Sequence, residues 1–357
     1  MKIHFLATQM GDASGGAIYD YNFFKILIEK YPDTELYDDA YFIKACSSKY
    51  SSAGLIEFNH IYKEFQKKIF DCDYLIMNSR IYTRFIKINL KKILAQYPNV
   101  KYVVIHHHNN YMTHSGLLYL IHKHLELKVL KSAGQLIIPN QYVIDQLQRA
   151  FNLNNIICLP SSFDKTTCEV SKLNSHNILF VGNVEKRKGL LYGLKAFNIF
   201  YQKNRKYKFT IAGKYNEKDP YYKKLKNFIQ INGLEEAIIF EGRVTDERLD
   251  WLYCNSDLFL FPSLLEGYGW VMIEAMRRGL PVIAFNNSAI PYTVKNGYNG
   301  MLVPNKRWNE MGEALLEVFA DKNLLTKMQT GALETFSNVP SQENLNIQIR
   351  SYIDSWL

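Results

Sequence analysis

The residues best equipped for chemistry lie in one string, PSLLEGYGWVMIEAMRRGLPVIA, running from Pro262 to Ala284. It holds two carboxylates, Glu266 and Glu274, with seven residues between them. Glu266 stands in a glycine-flanked loop, where its side chain and the amides of Gly267, Tyr268 and Gly269 can meet sugar hydroxyls. Glu274 falls on the following helix, about two turns on from Glu266, and can accept a bidentate pair of hydrogen bonds from a ribose diol. Two glutamates at this spacing in an unremarkable helix would be solvated charges. The proline, serine and glycines around them take the string out of that class.

Four further loops carry unusual residues. In GNVEKRKG, Gly182 to Gly189, Arg187 and Lys188 precede a glycine and a new helix, a cationic pair able to hold a diphosphate and stabilise charge on a leaving group. A basic surface turn is the competing reading. Gly15 and Gly16 open a helix whose N-terminus favours anions, although GDASGG is not G-x-G-x-x-G and a tight strand-to-helix turn reads equally well. HHHNN places His106, His107 and His108 where a buried strand meets solvent; substrate binding competes with a polar strand end and with a metal site, and at most two of the three rings share a face. EGR, Glu241 to Arg243, opens a loop against which a flat base can lie.

These loops need elements to hold them, and the apolar runs supply parallel sheets with crossover helices in both halves. The first half reads as strands Ile3–Thr8, Tyr74–Met77, Tyr102–Ile105 and Leu136–Ile138, with a helix burying Ala17, Tyr21, Phe24 and Ile28. The second reads as strands Ile178–Val181, Phe209–Ala212, Ile238–Phe240, Leu258–Phe261, Pro281–Ala284 and Met301–Val303, with a helix burying Leu190, Leu194, Phe197 and Tyr201. In open sheets of this kind ligands bind beyond the carboxyl ends of the strands, which is where all five loops fall. The polar segment KTTCEVSKLNSHN after Asp164 separates a domain over 1–165 from one over 166–340, and a last helix over 341–357 is expected to pack back on the first.

A chain of 357 residues is longer than one core usually grows. Its five cysteines have no metal or disulfide spacing, which fits a reducing cytoplasm. No stretch approaches a membrane span, and MKIHFLAT is too short for a signal-peptide core. The net charge of +9 asks for an anionic partner. Residues 61–95 hold eight basic against three acidic side chains, a local excess of +5, interleaved with Ile81, Phe85 and Ile88. Lys63 to Lys92 thus reads as an interfacial segment for an anionic membrane or as a solvated basic face; no nucleic-acid module accompanies it.

Taken together the motifs resemble glycosyltransferase family 4, retaining enzymes of GT-B architecture. The matching residues are Gly182, Lys188-Gly189, Ala212-Gly213, Phe240 to Gly242, Pro262-Ser263, Glu266 to Gly269, Glu274 to Met276, Gly279, Pro281-Val282 and Asn299-Gly300, with the Gly15-Gly16 loop and the histidines in the first half. The resemblance implies an α/β fold of two doubly wound Rossmann-like domains facing across a cleft, the first binding the acceptor and the second the donor. It implies that a hexose-type sugar passes from a UDP- or GDP-sugar to a hydroxyl of a glycan or lipid-linked acceptor in cell-surface glycan synthesis, with no metal or other cofactor. Lys188 and Arg187 would hold the diphosphate, Glu274 the ribose, and Glu266 with Tyr268 and Gly269 the hexose. His106 or His107 would contact the sugar near the reacting carbon, Gly15 and Gly16 would face the phosphates, and Gly182 and Arg243 would border the nucleotide. Two departures stand out: Asn183 replaces a common arginine, whose charge Arg187 can supply, and Tyr292 lies where a glutamate is common. The rivals are an epimerase or phosphorylase of the same architecture and an inactive partner subunit. The latter is disfavoured by the presence of Lys188, Glu266 and Glu274 together. A dinucleotide dehydrogenase would need G-x-G-x-x-G after a strand, and neither half has it.

Overall fold

Two six-stranded sheets, parallel throughout, organise the chain in a computed structural model that describes residues 1–7, 15–38, 67–78, 95–113, 116–151, 153, 155–166 and 168–356. The first sheet contains β1 (Ile3–Leu6), β2 (Glu35–Tyr37), β3 (Tyr74–Asn78), β4 (Lys101–Ile105), β5 (Gln135–Ile138) and β6 (Ile156–Cys158) in the order β2-β1-β3-β4-β5-β6. Its apolar runs are buried on both faces, as a parallel sheet covered by helices requires: Phe5, Ile76, Val104 and Ile137 are sealed from solvent. The helices α1 (Gly15–Lys30), α2 (Gly116–Leu130) and α3 (Gln141–Phe151) accompany it. The order reverses between β1 and β3, so the ligand-binding switch point of this sheet lies at the ends of those strands.

The second sheet contains β7 (Asn177–Val181), β8 (Lys208–Ala212), β9 (Ile238–Gly242), β10 (Leu258–Phe261), β11 (Val282–Asn286) and β12 (Gly300–Pro304) in the order β12-β11-β10-β7-β8-β9. Its helices are α4 (Leu190–Lys203), α5 (Pro220–Ile231), α6 (Asp246–Cys254), α7 (Trp270–Arg277), the single turn α8 (Ile290–Thr293), α9 (Trp308–Ala320) and α10 (Lys322–Asn338). Here the switch point falls between β7 and β10. The helix α4 buries Leu190, Leu194, Phe197 and Tyr201 as its 3.6-residue spacing predicts, each aliphatic or Phe side chain contributing about 1.5–3 kcal/mol.

The chain divides into residues 1–164 with 340–357, and residues 165–339. The returning helix α11 (Gln342–Asp354) is capped by Ser341, whose hydroxyl accepts from the Asn344 amide. It joins the first core through Leu345, Ile349, Tyr352 and Ile353, and the Trp356 ring just beyond it stacks on Tyr74 at 4.5 Å. Ion pairs Lys30–Asp354 and Arg350–Glu29 tie it to α1.

Three expectations need correction. The core face of α1 is Tyr19, Phe23, Ile26 and Leu27, while Tyr21 points to solvent and Phe24 and Ile28 are only partly covered. The edge strands β2 and β6 were not anticipated; at three residues each they are too short to show a period. The first strand ends at Leu6 rather than Thr8, with Ala7 following in irregular conformation and Thr8 outside the described residues.

Candidate functional site

In the second unit the loop after β7 and the loop after β10 flank the switch point and press against each other. Gly182 leaves β7 with its amide donating to the Ala212 carbonyl at 2.8 Å. The segment then makes a 3-10 turn, Lys186–Lys188, closed by Gly189 in the left-handed region (φ 65°). A Cβ on Gly189 would lie 1.9 Å from the Pro262 carbonyl oxygen, so only glycine lets the turn approach this closely. The Leu264 amide donates to the Arg187 carbonyl at 2.9 Å and fastens the two loops together.

This contact brings the proposed cations onto the first glutamate. Lys188 Nζ donates to Glu266 Oε1 at 2.7 Å, and Arg187 Nη1 reaches the same oxygen at 3.3 Å and the Leu265 carbonyl at 2.8 Å. Ser263 Oγ, wholly buried, adds a third bond to Oε1 at 2.6 Å. The Lys188 and Glu266 side chains are 14% and 8% exposed, against 42% for Arg187, so the lysine–glutamate pair is screened from water and the arginine is not. Lys188 also lies over the Phe261 ring, 5.3 Å from its centroid. The Glu266 backbone is fixed as well, its amide donating to Ser288 Oγ at 2.9 Å.

The loop then turns into α7 through Gly269, again left-handed (φ 81°), so the helix starts with a backbone N-terminus at the carboxyl end of β10. Tyr268 lies before it, with burial pushing its hydroxyl up to about 12, which keeps it a neutral donor. Glu274 is one turn into α7. It accepts from the Tyr253 hydroxyl at 3.0 Å, and burial raises its carboxyl above the ordinary range while that hydrogen bond opposes the rise. Gly267 is partly covered and Arg243, just past β9, is exposed. Gly242 ends β9 in a left-handed conformation (φ 71°) beside the Tyr215 ring. Asn183 and Tyr292 are exposed, and the guanidinium of Arg187 stands on the cationic side of Glu266.

The first unit gathers its own group. Gly15 and Gly16 begin α1, and Gly16 lies against the His107 ring, where a Cβ would come within 3.2 Å of Cδ2. His107 Nε2 is 2.8 Å from Asp20 Oδ1 and its ring is 18% exposed. His106 points the other way. It is sealed from solvent, bonded through Nε2 to Asn109 Oδ1 at 2.8 Å, and burial pulls its imidazole down to about 3, so it is held neutral inside the unit. Most of the basic segment lies outside the described residues, including Lys63, Arg80, Arg84, Lys87, Lys91 and Lys92. Of the described part, Lys68 lies over the Tyr37 ring.

Sequence reasoning assigned no role to Ser263, Ser288, Tyr253, Asp20 or Asn78. Only Ser263 carried a local signal, the Pro262-Ser263 dipeptide before Glu266. Chemically, the second unit assembles two cations, a fixed carboxylate and a helix N-terminus at one strand end. That set suits a polyhydroxyl ligand carrying phosphates.

The chain is 28% identical over 220 residues to an uncharacterized glycosyltransferase of Haemophilus influenzae, covering 61% of this chain and 60% of the relative. It is 29% identical over 147 residues to the amylovoran biosynthesis glycosyltransferase of Erwinia amylovora, covering 40% and 35% respectively. The matched part thus spans less than two thirds of either relative. Among solved structures, Anabaena HepE in complex with UDP and glucose shares the fold, with a TM-score of 0.75 at 17% identity over 99% of both chains. Residues 168–335, which contain both switch-point loops and both glutamates, match the model of the family Glycosyl transferases group 1.

Proposed function

We propose that the chain is a retaining glycosyltransferase moving a hexose-type sugar from a nucleoside-diphosphate sugar, with UDP or GDP as carrier, to an acceptor hydroxyl in cell-surface or lipid-linked glycan synthesis. The observation that carries this reading is the junction of Lys188, Arg187 and Glu266 at the β7/β10 switch point, beside the α7 N-terminus. The Erwinia relative, named for amylovoran biosynthesis, and the UDP and glucose in the Anabaena HepE complex support the choice of class.

In this reading the diphosphate draws Lys188 and Arg187 partly away from Glu266, whose carboxylate then accepts from donor-sugar hydroxyls. Glu274, steadied by Tyr253, accepts from the ribose diol, Gly182 and Arg243 border the nucleotide, and the Tyr268 and Gly269 backbone meets the sugar. His107, rather than the sealed His106, is the histidine that reaches the sugar, and Gly15 and Gly16 lie toward the phosphates. The acceptor hydroxyl attacks the anomeric carbon on the face the leaving group departs from, and the departing phosphate oxygen takes its proton. The protein positions the partners and neutralises developing charge through Lys188, Arg187 and the α7 N-terminus, with no metal required. The test is release of nucleoside diphosphate from candidate donors together with the anomeric configuration of the first-formed glycoside by proton NMR. A product of retained configuration is expected; an inverted product rejects the mechanism, and an altered sugar nucleotide without a glycoside points to an epimerase.

The reading also places the protein in the cytoplasm, docked on the anionic inner face of a membrane through Lys63–Lys92. No described helix is long and apolar enough to cross a bilayer. The helix α2 supports docking of the same unit: Leu117, Leu118, Leu120 and Ile121 are 72%, 57%, 60% and 44% exposed. Lys128 and His124 continue that outward stripe, and the helix's one acid, Glu126, is buried. Aliphatic side chains among cations suit an anionic lipid surface better than a protein interface core, where lysine is depleted.

A further inference from the structure

At the β1/β3 switch point of the first unit a buried polar chain ends on one partly exposed ring. Asn78, the last residue of β3, donates from Nδ2 to Asp20 Oδ2 at 3.3 Å, and both residues are about as buried as core side chains, at 3% and 2% exposure. Asp20 Oδ1 in turn holds His107 Nε2 at 2.8 Å. The His107 main-chain carbonyl accepts from Asn140 Nδ2 at 3.1 Å, the Tyr19 ring meets the imidazole edge-on at 5.5 Å, and Gly16 closes the Cδ2 side. Neighbouring His106 has no such carboxylate; its partner is the amide of Asn109.

A carboxylate accepts and does not donate, and both Asp20 oxygens are already accepting, so the hydrogen between Asp20 and His107 belongs to Nε2. In the neutral ring Nδ1 is then the acceptor. We propose that Asp20 is a positioning residue that fixes the tautomer of His107, with Asn78 fixing Asp20, so that His107 presents Nδ1 as the acceptor for a hydroxyl of the bound sugar. This rests on the donor reading above, in which His107 reaches the sugar. An asparagine would fill the same space and could bond both neighbours, but with an NH2 toward the ring; only a carboxylate there puts the hydrogen on Nε2 and leaves Nδ1 as the acceptor.

The test is Asp20→Asn, read by long-range proton–nitrogen NMR of protein labelled in its histidine rings, with His107→Gln assigning the signal. The bond from Asn78 Nδ2 is expected to be kept, with the new amide oxygen as its acceptor. The amide NH2 then faces His107, which must accept at Nε2 and carry its hydrogen on Nδ1. The wild type is expected to show the Nε2–H form and the variant the Nδ1–H form. Nucleoside diphosphate affinity should change little, since Lys188, Arg187 and Glu274 are untouched, and kcat should fall on the order of 10²-fold. A wild-type ring carrying its hydrogen on Nδ1, or a variant with the wild-type tautomer, overturns the proposal even where Asp20→Asn folds poorly, because the first reading needs no variant. A tautomer switch with undiminished kcat overturns the positioning role while leaving the donor reading intact. A wild type that transfers no sugar overturns the donor reading and this role with it. Asn78→Ala, which unties Asp20 without changing its charge, is expected to lower kcat less than Asp20→Asn; an unaltered kcat removes Asn78 from the chain.

Discussion

Replacing Lys188 with alanine separates stability from catalysis in a way that the local geometry makes quantitative. Glu266 Oε1 accepts from Ser263 Oγ at 2.6 Å, Lys188 Nζ at 2.7 Å and Arg187 Nη1 at 3.3 Å. Losing the lysine removes one charge-assisted hydrogen bond between side chains that are 14% and 8% exposed, a loss of about 1.5–3 kcal/mol. Arg187 and Ser263 remain on the same oxygen, so the unliganded protein should lose only the lower end of that range, about 1.5 kcal/mol. The reaction should suffer more. Charge on the diphosphate grows as the sugar departs, and removing one group that stabilises developing charge costs about 2.7–4 kcal/mol, or roughly 10²–10³-fold in kcat. Denaturant unfolding gives the first number, and single-turnover kinetics at saturating donor give the second. Unchanged turnover at saturation would refute the leaving-group role. A stability loss above about 4 kcal/mol would show instead that the lysine–glutamate pair is a structural ion pair.

Glu274→Gln is expected to stabilise the unliganded protein while weakening nucleoside diphosphate binding. Burial raises the Glu274 carboxyl in the folded state, so as pH rises the unfolded chain loses this proton first, and stability falls between the ordinary carboxylate pKa of about 4.3 and the raised folded value. The variant should therefore match the wild type below that window and exceed it above in thermal unfolding; equal midpoints at pH 7 would deny the burial cost, and unchanged nucleotide affinity the ribose role. Gly189→Ala forces a Cβ to 1.9 Å from the Pro262 carbonyl at a left-handed φ of 65°, so Arg187 and Lys188 must shift with the turn. Calorimetric titration should show at least about 10-fold weaker nucleotide binding together with a lower Tm, whereas wild-type affinity would mean the turn does not set the cations. Cosedimentation with anionic vesicles should fall when Lys87, Lys91 and Lys92 become glutamine, and should fall again in high salt. Equal recovery of both proteins in the supernatant at low salt rejects docking by that segment.

The candidate site of the second unit was legible as a cluster of loops because its geometry is written in residues with backbone consequences. Gly182, Gly189 and Gly269 each adopt a positive φ, Pro262 and Ser263 follow a buried strand, and the charged residues sit between them at short range. The sheets were legible for a similar reason, since strands buried on both faces are continuous apolar runs. The misread face of α1 has the opposite cause. Tyr21, Phe24 and Ile28 share its 3.6-residue period with Tyr19, Phe23, Ile26 and Leu27, and a helix apolar on both sides carries no phase. The supporting polar residues were hidden by distance along the chain. Tyr253 lies 21 residues from Glu274, Ser288 lies 22 from Glu266 and Asp20 lies 87 from His107, separations that only the fold closes.

The central claim is that the second unit binds a nucleoside-diphosphate sugar through Lys188, Glu266 and Glu274. A thermal-shift series of UDP, GDP and ADP, each with its sugar conjugates, tests it most directly on the wild type, Lys188→Ala and Glu274→Ala. Ligand at 100 times its dissociation constant adds about 2.7 kcal/mol, enough to raise the midpoint by several degrees. The account predicts that one base raises the wild-type midpoint and that each substitution diminishes the rise. A folded wild type that responds to none of the series at millimolar concentration, or a response that both variants keep in full, would contradict it.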